Sequence, residues 1–163
     1  MGFSKIWVHG EASDGAVASI TLELLAKARE LADTVEVVVA GDADSVAAEL
    51  GDHGASVVYS IGPLDGGLAG PRIASAIAEA CSQGSGPDVM LCGTTYDGRD
   101  VAGRLSAKLD TPVITNVIDL KQDGKLLQFG QQETVLLARL NKPLLPGKKT
   151  KLITQPRYLL TRK

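Results

Sequence analysis

Apolar residues follow two rhythms through the first two thirds of this chain. Short aliphatic runs at 5–9 (Lys5-Ile6-Trp7-Val8-His9), 35–40, 56–61 and 89–92 have the length and β-branched content of strands. Between them lie stretches whose apolar positions recur every three or four residues, as on one face of a helix. The first carries Val17, Ile20, Leu24, Ala28 and Leu31, with Ser13 or Asp14 expected as its cap. A short helix through Leu50 follows the second strand, capped by Asp42 or Asp44, and the GDHGA turn leads into the third strand. After a glycine-rich loop at 62–70, an alanine-rich helix is expected from about 71 to 81; Pro71 suits a first turn that needs no backbone donor. The last repeat is the densest. Val89-Met90-Leu91-Cys92 runs into a glycine-punctuated loop at 93–98, and a helix starting within 97–100 carries Val101, Leu105 and Leu109.

Four strand–helix repeats with short connections predict an α/β fold of three layers, αβα, around a mostly parallel twisted sheet. The rhythm changes after Leu109. Extended segments are expected at 112–120, 125–129, 134–140 and 151–159, the first two joined by a hairpin turn at Asp123-Gly124. The stretch 141–149, with Pro143, Pro146 and Gly147, reads as a turn, and Pro156 places the last segment at an edge. The expectation is one domain over 1–163, with alternating elements over 1–110 and a C-terminal antiparallel extension over 111–163.

Composition adds constraints. A chain of 163 residues with 44% apolar and 22% charged residues can bury a core without staples. Cys81 and Cys92, in a helix end and a strand core, read as reduced thiols of a cytoplasmic protein. The opening residues run straight into a strand without the apolar stretch of a signal peptide, and no apolar run has the length of a membrane span. The net charge of −2 is unevenly spread: residues 139–163 hold eight Lys and Arg and no acid. A basic run without a recognisable module is a weak footprint for nucleic acid, so no nucleic-acid or membrane partner is expected.

Candidate chemistry gathers at strand exits. In the loop at 93–100, the hydroxyls of Thr94 and Thr95, the backbone amides around Gly93 and Gly98, and Arg99 offer a cradle for a nucleotide or another anion. The competing reading takes Asp97 as the N-cap and Asp100 as N3, acids that cap their own helix and repel an anion; Asp100 and Arg104 form a favourable i,i+4 pair. His9 and Glu11, at the exit of the first strand, are an acid–base pair or, more simply, structural residues. The 62–70 loop has neither the Lys-Ser/Thr ending of a P-loop nor a GxGxxG spacing. No catalytic constellation and no metal-ligand spacing is apparent.

Several stretches resemble the N-terminal domain of the α subunit of electron-transfer flavoproteins. GAVASITLELLAKARELA is similar to that family's first helix, with its ELL-x-x-A-x-x-LA pattern, and GDADSVAAELGDHGASVVYSI to the exit of its second strand and the elements that follow. GTTYDGRDVAGRLSAKLDTPVITNVIDL resembles its most diagnostic run, Gly-x-Thr…Gly-Arg-Asp-x-x-x-Arg-Leu. KLITQPRYL is similar to the stretch where that domain hands over to the next, with Pro156 and Arg157 in swapped order. The resemblance implies a non-catalytic electron-carrier component that packs against a β-type subunit, whose related fold holds AMP, and supports a flavin-binding domain. FAD is implied for the complete family protein; that domain's flavin-contacting motifs do not occur in these residues, and no cofactor is expected on this chain alone. The alternative is a stand-alone adenine-nucleotide-binding or sensor domain of the same fold, holding AMP or a related nucleotide.

Overall fold

A computed structural model describes residues 3–123, 126–131 and 154–155. Its centre is a parallel sheet of four strands: β1 (Phe3–Gly10), β4 (Ala32–Val39), β5 (Val57–Ser60) and β6 (Val89–Leu91), ordered β5-β4-β1-β6. Every step between these strands crosses over through a helix. They are α1 (Ser19–Leu31), α2 (Ala47–Asp52) and α3 (Ala69–Ser82), and α4 (Tyr96–Leu109) follows β6. The central strand β1 is buried from Ile6 to Gly10 without interruption, as both faces of a parallel sheet must be when helices cover them.

Two cores lie on the two faces. Ile6, Val8, Val35, Val37, Val39 and Val89 pack with Leu25, Ala28, Leu31 and Leu50 from α1 and α2. On the opposite face Trp7, Val38, Met90 and Cys92 pack with Ile73 and Ile77 from α3 and Val101 and Leu105 from α4. The αβα layering read from the sequence is what forms. Among the described residues the only buried carboxylate is fully engaged. Glu36, 5% exposed, accepts hydrogen bonds from Trp7 Nε1 at 2.5 Å and Tyr59 OH at 3.1 Å, and Lys5 Nζ stands 3.3 Å away. Such partners are what make a buried charge tolerable.

Several boundaries differ from the sequence reading for identifiable reasons. Neither Ser13 nor Asp14 caps α1. They belong to a miniature antiparallel hairpin, β2 (Ala12–Ser13) with β3 (Ala16–Val17), turned by Asp14 (φ 55°) and Gly15 (φ 78°). Two successive left-handed residues are the turn that matches the twist of a two-residue hairpin. Helix α1 therefore starts later, after Ala18, with no side-chain cap. Asp42 does not cap α2 either; its Oδ1 accepts from the Asp44 amide at 2.9 Å, a local Asp turn, and α2 begins after Val46. Pro71 does lie in the first turn of α3.

Beyond α4 the chain makes β7 (Val117–Asp123) and β8 (Leu126–Gln131), paired antiparallel as expected, with a register shift between Val117 and Asp119. The strand starts at Val117 rather than at 112 because Asn116 is left-handed (φ 58°) and breaks the extended run. Val117 and Leu120 join the α1-side core, and Lys27 Nζ of α1 reaches Asp119 Oδ1 at 3.2 Å. A two-residue strand β9 (Thr154–Gln155) adds to β8 in parallel. The segment expected at 134–140, the turn at 141–149 and Pro156 lie outside the described residues. Among the described residues no helix is long and apolar enough to cross a membrane.

Candidate functional site at the carboxyl edge of the sheet

The four parallel strands follow one direction from β1 through β4 to β5, then the chain returns to the other side of β1 for β6. This reversal opens the connections of β1 and β6 away from each other at their carboxyl ends, where open α/β sheets hold ligands. The segments that meet there are His9-Gly10-Glu11 from β1 and 92–98 from β6 into α4.

Glycines let them approach closely. A Cβ on Gly10 would lie 2.6 and 2.7 Å from the Cγ1 atoms of Val37 and Val39. A Cβ on Gly93 would lie 2.9 Å from Ile20 Cγ1 and 3.4 Å from Glu11 Oε1. On Gly98 it would run into the carbonyl oxygen of Gly93. The loop is folded back onto its own helix with no room for a side chain between them.

The N-cap of α4 is Thr95, not Asp97. Thr95 Oγ1 accepts from the Gly98 amide at 2.9 Å, with extended backbone at the cap (φ −65°, ψ 168°). Asp97 sits inside the first turn, where its charge still complements the helix N-terminus. Asp100 is a turn further on and bonds Arg104 Nε at 2.8 and 2.9 Å, the expected i,i+4 pair. The hydroxyl proton of Thr95 points elsewhere: it is donated to Glu11 Oε1 at 2.6 Å, the short length of a charge-assisted bond. The backbone of Glu11 is held by α1. Its N–H donates to Thr21 Oγ1 at 2.9 Å, and its carbonyl accepts from the Ala18 amide at 2.9 Å and from Thr21 Oγ1 at 3.3 Å.

His9 lies beneath this bond. It is 2% exposed, and its Nδ1 stands 3.5 Å from Glu11 Oε1 but out of line for a hydrogen bond, leaving that nitrogen without a partner. Burial lowers the His9 pKa to about 4, against the opposing pull of Asp97, so the imidazole is neutral at physiological pH. Burial pushes the Glu11 carboxyl up; the Thr95 bond pulls it back and the charge of Asp97 adds to the rise. Cys92, fully buried beside them, is held as a thiol by burial and by Glu11, an inert rather than a reactive cysteine.

Of the residues expected to contact an anion, Gly93, Thr95 and Gly98 are brought together in the fold of the loop. Thr94 is half-buried, and Arg99 is exposed with no ion pair among the described residues. The next residue to the cap, Tyr96, is 93% exposed. His9 and Glu11 are adjacent as the acid–base reading required, yet without the aligned hydrogen bond that proton exchange needs. Sequence reasoning missed the Glu11–Thr95–Thr21 connection. The small apolar cleft lined by Ile77, Cys81, Met90, Leu105 and Leu109 is unrelated, lying where α3 and α4 end, at the other edge of the sheet.

Residues 6–136 match the electron transfer flavoprotein domain family. The chain belongs to that family. It is 30% identical to the electron transfer flavoprotein subunit alpha of Thermoanaerobacterium thermosaccharolyticum over 134 residues, covering 77% of this chain and 40% of the relative. It is 28% identical to the subunit alpha of Bacillus subtilis over 135 residues, 77% of this chain and 39% of that one. Protein FixB of Azorhizobium caulinodans is 29% identical over 135 residues, 76% and 36% of the two chains. This chain thus aligns with about two fifths of the length of the curated relatives it matches. The family resemblance of the GRD-x-x-x-RL run has a physical content in this electron transfer flavoprotein domain: Gly98 is the one residue that fits against the Gly93 carbonyl, and Asp100 and Arg104 pair on the helix it starts.

Two consequences are measurable. Within α4, Gly103 is exposed with open space around it, whereas Gly98 has none. Gly103→Ala is expected to stabilise the fold by about 0.5–1 kcal/mol through helix propensity. Gly98→Ala should destabilise it despite the same propensity gain, and urea unfolding of the two variants compares them directly. The second concerns pH. The folded-state pKa of His9 lies below its unfolded value, so as pH falls the unfolded chain takes up the proton first. Stability present above pH 6.5 is then lost between about 6.5 and about 4, roughly 3 kcal/mol from this residue. Glu11 acts with the opposite sign, because a raised carboxyl pKa favours the folded state as it protonates, and Asp97 faces both groups. The unfolding free energy of wild type relative to that of His9→Leu should therefore fall as pH is lowered from 7 to 4.5, whereas a difference that does not change with pH contradicts the assignment.

Proposed function

We propose that this chain is a non-catalytic scaffold domain of the electron transfer flavoprotein α-subunit type, which supports electron transfer by packing against a β-type subunit and a flavin-bearing domain. The observation that carries this reading is the family match over residues 6–136, together with a switch-point crevice that the chain fills with its own side chains. Gly93 and Gly98 are pressed against Ile20, Glu11 and the loop carbonyl with no room for a side chain, and no flavin step is assigned to these residues. The exposed Val57 and Tyr59 on the outer strand β5, 40% and 38% accessible, support a role in assembly. A cytoplasmic location is part of the same proposal.

A second reading keeps one specific observation in its favour. The N-terminal turn of α4, with Gly93, Thr94, Thr95, Gly98 and the exposed Arg99, has the elements of an adenine-nucleotide or anion contact.

The two are separated by co-expression with the cognate β-type subunit, followed by size-exclusion chromatography and an absorption spectrum with and without added FAD. The scaffold reading predicts co-elution and a chain that is colourless on its own. Failure to associate, or FAD retained by the isolated chain, contradicts it. Calorimetric binding of AMP to the isolated chain would favour the second reading.

A further inference from the structure

A helix that begins at the switch point of a parallel sheet presents free N–H groups and a positive dipole end to whatever lies beyond the strand ends. In this chain that place is taken. The carboxylate of Glu11 comes across from β1 and receives the Thr95 hydroxyl at 2.6 Å, and Thr95 in turn receives the Gly98 amide at 2.9 Å. Glu11 Oε1 lies 3.4 Å from where a Cβ of Gly93 would stand. It therefore occupies the hollow that the absent side chain leaves.

Two further features make this a built site rather than a chance contact. The backbone of Glu11 is fixed on the first turn of α1 by bonds to Ala18 and Thr21, so the side chain is delivered to one place. Directly below, the buried Nδ1 of His9 is unpartnered and 3.5 Å from the same carboxylate oxygen. The side chain of Glu11 is 17% exposed, so the hollow opens to solvent past it, with Thr94 half-buried and Arg99 exposed in the same turn.

We propose that Glu11 is the resident anion of the α4 N-terminus, a built-in occupant that closes the switch-point crevice to external phosphate and carboxylate. The chemistry that would recognise a ligand here is intact: a hydroxyl donor, a helix N-terminus and a buried imidazole nitrogen. A side chain of the chain itself satisfies it. Asp97 adds a second carboxylate in the same turn. Removing the side chain of Glu11 converts the crevice into a cradle for a small oxyanion. This inference concerns the isolated chain and stands or falls independently of any β-type partner.

The test uses the full chain, with acetate and inorganic phosphate as probes and chloride at matched ionic strength as the reference. In the wild type, the backbone amide resonances of 93–98 are expected to stay unmoved by acetate, phosphate or AMP, and the melting temperature to be the same in all. Glu11→Ala is expected to melt lower than wild type in chloride and to regain about 3 °C at an acetate concentration roughly ten times its Kd. Adding Thr95→Val to Glu11→Ala should abolish that recovery. The proposal is overturned if the wild-type amides of 93–98 shift with phosphate, acetate or AMP, or if Glu11→Ala responds to acetate and phosphate no differently than to chloride. The wild-type titration needs no variant, so it decides the matter even where Glu11→Ala does not fold.

Discussion

The fold turns on how the exit of β1 is held. Glu11 is bonded through its backbone to Ala18 and Thr21 on one side of the sheet and through its side chain to Thr95 on the other. One residue thus joins the helix that covers one face to the helix that covers the opposite face, at the point where the sheet changes direction. The glycines around it follow from that constraint. Gly10 must clear Val37 and Val39, Gly93 must clear Ile20 and Glu11, and Gly98 must clear the Gly93 carbonyl. Any side chain there would separate the layers that Glu11 holds together.

The electrostatics have the same origin. Packing both faces of the sheet buries His9 and Cys92, and that burial shifts each toward its neutral form; the charge of Glu11 adds to the shift of Cys92, whereas that of Asp97 opposes the shift of His9. Elsewhere such a group of His, Cys and Glu side chains would suggest reactivity. Here the imidazole Nδ1 lacks an aligned partner and the thiol is fully buried. The position of a ligand-binding crevice is retained from the fold class while its interior is filled from within, consistent with a domain whose contribution to electron transfer is proposed to lie in assembly.

Much of this was legible in the residues. Residues 37–39 and 89–91 are continuous apolar runs because both sides of them are buried, and the helical spacing of Leu24, Ala28 and Leu31 marks a face that does meet the sheet. The αβα architecture and the α-subunit family resemblance both followed. Caps were less legible. Asp14 can cap a helix or turn a hairpin, and pairing of Ala12 with Val17 decides for the hairpin. Thr95 and Asp97 are both N-cap types, and the contact with Glu11 favours Thr95. That contact joins residues 84 apart, across three strands of the parallel sheet and three helices, and neither periodicity nor local spacing contains it. The glycines of the 93–98 loop were visible as an anion motif; that they also answer to close packing required the neighbours.

Glu11 and Thr95 are coupled, not merely close. A double-mutant cycle on urea unfolding, with Glu11→Ala, Thr95→Val and the pair, measures this directly, because loss of the cap and loss of the carboxylate cancel out of the interaction energy. A bond between a hydroxyl and a half-buried carboxylate predicts a coupling of about 1.5–3 kcal/mol. Additive single effects, with a coupling near zero, would contradict the account.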